Sequence, residues 1–121
     1  MIVSNGVKCH PNFFFLKKKF IAITLFGHVF FNIKEEELKK LLKKKEGKII
    51  VNHERIHLLQ ANSFKTKYLG FYTLYIWFWI KGLFKYGWNQ SYYAIPFERE
   101  AYANERDILY NETKWKNYAS Y

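Results

Sequence analysis

Residues 53–57 read His-Glu-Arg-Ile-His. On a helix, positions i and i+4 lie one turn apart on the same face. Two imidazoles spaced that way can grip one zinc ion from one side. Glu54 follows the first histidine, so its carboxylate reaches a water held by the metal. Zinc lowers the pKa of such a water to about 7. Glu54 could then take its proton during attack on a carbonyl and hand it to the leaving amine. Shuffling a chain of this composition would produce the motif in roughly 1% of cases, so the five residues are informative without being decisive.

A catalytic zinc takes three protein ligands and an open position. The third is sought in Phe97-Glu98-Arg99-Glu100-Ala101-Tyr102-Ala103-Asn104-Glu105, where Pro96 opens the last expected helix. Positions 98, 101, 102 and 105 share one helical face, and Glu100 points about 200° away from Glu98. Only one of the two can face the zinc. Periodicity favours Glu98, with Glu100 as the alternative.

The motif with a downstream glutamate on a second helix resembles the gluzincin class of metallopeptidases. Their third ligand often stands in a Glu-x-x-Ala-Asp or Glu-x-x-x-Asp pattern. Glu98-Arg99-Glu100-Ala101-Tyr102 matches its Glu and Ala, which also selects Glu98. Tyr102 stands where the class has Asp. The other N–H of a ligand histidine then needs another acceptor, for which Asn104, Glu105 or a backbone carbonyl are candidates. With an apolar helix between motif and ligand, the layout is similar to antirepressor peptidases of the BlaR/MecR type, to HtpX-type catalytic cores and to short bacterial HExxH proteins. The resemblance covers roughly residues 50 to 107. It implies a Zn2+ cofactor, a peptide or protein substrate, and a place in the bacterial cytoplasm or peripherally at the inner membrane.

Other polar residues have plainer readings. Gln60 lies one turn beyond His57 and could orient a ligand, although a surface glutamine is the simpler expectation. His28 could stabilise an oxyanion or be an ordinary turn residue. Cys9-His10 is too isolated for a metal site, and any of the 10 tyrosines could serve as an oxyanion donor.

The elements that must position these groups follow from the pattern. The chain has 121 residues, 50% hydrophobic and 21% aromatic, enough for one domain with a real core. Cys9 is the single cysteine, so no internal disulfide forms. Residues 1–12 read as a loose lead-in, and residues 20–33 as a β-hairpin closed near Phe26-Gly27-His28. Lys17 to Lys19 ahead of Phe20 to Ile33 has the outline of a signal segment. It starts late, lacks a small-residue cleavage site and contains His28, so it reads as folded structure. Lys34 to Glu46 has helical spacing with Gly47 as its stop, and 49–62 is the motif helix. Residues 66–86 form an aromatic helix, either buried or lying in a membrane interface; its uncharged run is shorter than the ~20 residues a span needs. Residues 96–118 form the last helix. The expected fold class is α+β, a mainly helical single domain with one β-hairpin, its motif helix packed on a C-terminal helix.

Lys and Arg number 20 against 10 acids, a net charge of +10. Such a chain is drawn to anionic surfaces. The lysine runs 17–19 and 43–45, interleaved with aromatics, could meet nucleic acid, but no nucleic-acid module is visible. An anionic membrane surface is the favoured partner because an aromatic helix sits in the same chain. The rival function is a non-catalytic basic binding module, associated with membrane or nucleic acid, in which the motif is structural.

Overall fold

The computed structural model of the chain describes residues 1–13, 22–88, 90–111 and 113. The fold is α+β and mainly helical, with 57% of the described residues in helices beside a small four-stranded sheet. The chain divides into two compact units, Met1–Arg55 and Ile56–Tyr121, and the division falls inside one continuous helix.

The first unit holds two hairpins. Strands β1 (Ile2–Ser4) and β2 (Val7–His10) are joined by Asn5-Gly6, and β3 (Ala22–Leu25) and β4 (His28–Phe31) by Phe26-Gly27. All four turn residues have positive φ: 48° and 77° in the first turn, 51° and 87° in the second. Two successive left-handed residues make the turn whose twist matches the flanking strands, and glycine adopts that region without steric cost. The sheet order is β1-β2-β4-β3, with β2 and β4 parallel and the two hairpins side by side. Val7, Cys9, Val29 and Phe31 are fully buried and alternate with more exposed neighbours, the period-2 signature of a sheet covered on one face. The expected hairpin is present. The expected loose lead-in over 1–12 is instead β1 and β2. Its Asn-Gly pair between two β-rich runs is a strong local hairpin signal. His28 begins β4 and does not lie in the turn.

Helix α1 (Glu35–Lys43) carries Glu35, Glu36 and Glu37 in its first turn and Lys40 and Lys43 in its last, which complements the helix dipole. It ends at Lys44, whose extended backbone lets its N–H bond the Leu41 carbonyl at 3.0 Å. Helix α2 (Lys45–Asn62) starts at once. Gly47 therefore lies inside α2 and is no stop for α1. Its function is close approach: a Cβ there would stand 1.8 Å from the Leu41 carbonyl oxygen. Alanine in a helix normally stabilises relative to glycine by about 1 kcal/mol. Here Gly47→Ala is expected to destabilise by about 1–3 kcal/mol, because backbone must move to make room. A urea midpoint equal to or above the wild-type value would refute this close contact.

The second unit is helical. Helix α3 (Tyr68–Tyr86) falls close to its expected bounds, and a short helix α4 (Ser91–Ala94) occupies part of the expected break. Helix α5 (Pro96–Asn104) starts at the expected proline but stops well short of residue 118. Residues 105 and 106 form a turn, and 114–118 lie outside the described residues. The core joins Ala61, Phe71, Phe78, Ile95 and Phe97. Phe97 is its hub, with ring centroids 4.7 Å from Phe71, 5.8 Å from Phe78 and 6.3 Å from a parallel Tyr75. Ile56 packs with Ala101 and Tyr110 in a second cluster, which seats the C-terminal half of α2 on α5. The basic run 17–19, and Phe20 and Ile21 of the expected hairpin, lie outside the described residues.

Candidate metal centre

His53 and His57 stand one turn apart on α2, and both are buried. With Glu98 they form a group whose candidate ligand atoms all lie within 4.8 Å of one another. Tetrahedral bonds of about 2.0–2.2 Å to one zinc hold ligand atoms about 3.4 Å apart, so the three groups would have to draw together to share an ion. Glu98 is placed by the first turn of α5, where Pro96 and Phe97 anchor the chain in the core.

The protonation of His57 can be worked out from its neighbours. Gln60 is fully buried, and its Nε2 lies 3.0 Å from the Phe97 carbonyl oxygen and 2.7 Å from Glu100 Oε1. Both are pure acceptors, so the amide orientation is settled: NH2 toward them, oxygen away. That oxygen, Oε1, sits 2.8 Å from His57 Nδ1. An oxygen cannot donate here, so Nδ1 carries the proton. His57 Nε2 then faces Glu98 Oε1 at 3.1 Å. Two acceptors in a buried site are held that close by a second proton on the ring or by a cation that both atoms share. A zinc ion would meet that requirement, and Nε2 is the nitrogen the ring would offer it.

Glu98 is itself oriented: its Oε2 accepts the Tyr75 hydroxyl at 2.6 Å, turning Oε1 toward His57. Glu100 takes a different part. It is fully buried, with Oε1 accepting from Gln60 and Oε2 accepting the Tyr110 hydroxyl at 2.6 Å. It lies behind Gln60 and outside the His53, His57, Glu98 group. Gln60 is thus no surface residue, and the acceptor for His57 is neither Asn104 nor Glu105. Asn104 instead donates to the Glu100 carbonyl at 2.8 Å. The signal for Gln60 was its spacing: at i+3 from His57, it lies on the neighbouring turn of the same face.

Glu54 is half-buried and accepts a hydrogen bond at Oε2 from the Thr24 hydroxyl on β3. Arg55 donates Nε–H to Asn52 Oδ1 at 2.9 Å. Burial, reinforced by the Glu54 charge, pushes the Cys9 thiol up to about 11. At neutral pH it stays protonated and is no nucleophile. His10 Nε2 and His28 Nδ1 lie 2.8 Å apart on the adjacent strands β2 and β4. Desolvation, helped by the neighbouring His28, lowers the His10 pKa.

Comparisons with family models, with curated proteins and with solved structures find no match.

Proposed function

We propose that the protein is a zinc-dependent hydrolase of peptide or other amide bonds. The observation that supports this reading is the buried His53, His57, Glu98 group, in which His57 commits Nδ1–H to Gln60 and turns Nε2 toward Glu98. His53, His57 and Glu98 would hold the ion, a His-His-carboxylate donor set that leaves a position open. Bound there, zinc supplies Lewis acidity that polarises a carbonyl and makes water acidic near neutral pH.

The protein's own groups do the rest. Thr24 holds Oε2 of Glu54, which leaves Oε1 to receive a proton from the attacking water. Glu54 passes that proton to the departing nitrogen as the C–N bond breaks, so water is divided between the new carboxyl and the new amine. Tyr75 and Gln60 keep Glu98 and His57 in fixed orientation during that transfer. Among the described residues β3 is an edge strand, and Thr24 ties it to Glu54. An extended peptide paired along that edge would lie beside the base, which favours peptides over other amides.

The test is elemental analysis of purified protein beside His53→Ala. About one zinc per chain, lost in the variant, is expected for a site of this composition. No metal in either protein after zinc is supplied would overturn the proposal and leave His57–Glu98 as an ion pair.

A further inference from the structure

Helix α3 is apolar on both of its sides. One side carries Phe71, Phe78 and Gly82 into the core. The other carries Leu69, Thr73, Ile76, Trp77, Ile80 and Phe84, which recur every three or four residues and so form one continuous stripe. Leu69 is 71% exposed, Ile76 55%, Trp77 54% and Phe84 89%. A helix that is hydrophobic all round is normally covered all round. Isolated exposed apolar residues need no explanation, but a row of large ones on a single face marks an interaction surface.

The charge around that stripe selects its partner. Between Glu54 and Glu98 the chain contains no Asp or Glu, but it contains Arg55, Lys65, Lys67, Lys81 and Lys85. Lys65 and Lys67 precede the helix and are exposed; Lys81 follows the edge of the stripe, and Lys85 stands one turn further on. No helix is long and apolar enough to cross a membrane among the described residues. An apolar row with tryptophan in it, on a stretch of chain whose charged residues are all cations, matches the boundary of an anionic bilayer, where rings sit at headgroup depth and lysines meet phosphates. A second copy of a chain with net charge +10 would meet the same cations face to face.

We propose that the exposed face of α3, through Leu69, Ile76, Trp77 and Phe84, seats the protein on the surface of anionic lipid bilayers. This inference is independent of the hydrolase proposal, since none of these residues belongs to the metal centre.

The experiment is co-sedimentation with vesicles of equal parts phosphatidylglycerol and phosphatidylcholine, against phosphatidylcholine alone. Wild type is expected to bind the anionic vesicles, less as salt rises, and to prefer them to the neutral ones. Ile76→Ser/Trp77→Ser/Phe84→Ser should weaken binding at least about ten-fold, because large apolar side chains leave the interface. Lys81→Gln and Lys85→Gln should each weaken it about five-fold. Brominated lipids should quench the tryptophan fluorescence of wild type, a readout that needs no variant. Absence of binding, absence of quenching, or unchanged binding by the folded triple variant would overturn the proposal. So would a wild-type dimer that the triple variant converts to monomer while vesicles do not compete, because a second copy would then cover the face.

Discussion

Glu54→Gln is expected to keep about one zinc per chain and to lower amide hydrolysis by roughly 10²–10⁴-fold, the usual worth of a positioned proton carrier. The amide retains the size of the side chain and can still meet the Thr24 hydroxyl, so the fold should persist. It cannot accept a proton. His57→Ala should lose both zinc and hydrolysis, because it removes one of three ligand groups and frees buried Glu98 from its 3.1 Å partner. The pair separates chemistry from binding: one variant tests proton transfer with the metal in place, the other tests the metal. Equal hydrolysis by wild type, Glu54→Gln and His57→Ala would sink the mechanism. Zinc retained by His57→Ala at full occupancy would sink the ligand set alone.

The second large effect is expected behind the ligands. Gln60→Leu is close in volume but removes the acceptor for His57 Nδ1–H and the donor to Glu100 Oε1. Zinc affinity should fall about 10–100-fold, as it does when the outer partner of a ligand histidine is lost. Stability without metal should also fall, by about 3–5 kcal/mol, because a fully buried carboxylate loses the Gln60 amide and retains the Tyr110 hydroxyl. Glu100→Gln should do part of the same damage, since its amide group competes for the orientation of Gln60. The measurements are a competition titration with a zinc chelator and urea unfolding of the apo protein. If Gln60→Leu binds zinc as wild type does, Gln60 does not set the tautomer of His57. A stability loss with no affinity change would make the Gln60–Glu100–Tyr110 chain purely a device for holding α2 against α5.

Local signals carried a good part of the molecule. The His-Glu-x-x-His spacing, the helical period around it, the Phe26-Gly27 hairpin and Pro96 at the head of α5 are all short-range features, set by a few neighbouring residues and their backbone preferences. The Asn5-Gly6 turn was equally local and could have been found, because the dipeptide lies between two β-rich runs. Helix ends were harder. Gly47 has the residue type of a stop, yet it lies within α2, where the Leu41 carbonyl comes so close that a Cβ would have to displace backbone. No inspection of neighbours along the chain reveals a contact of that kind.

What the sequence alone determined was the list of chemically able groups: two imidazoles one turn apart, a carboxylate beside the first, and two glutamates of which periodicity preferred Glu98. Tertiary structure decided the parts that depend on distance through space. It brought Glu98 to His57, sent Glu100 behind Gln60, and gave Tyr75 and Tyr110, out of 10 tyrosines, to the two carboxylates. It also left one side of α3 facing outward, which composition could not distinguish from a helix buried on every side. The reason is physical: a buried polar group must be satisfied, but many partners at many separations can satisfy it, and only the packed chain selects one.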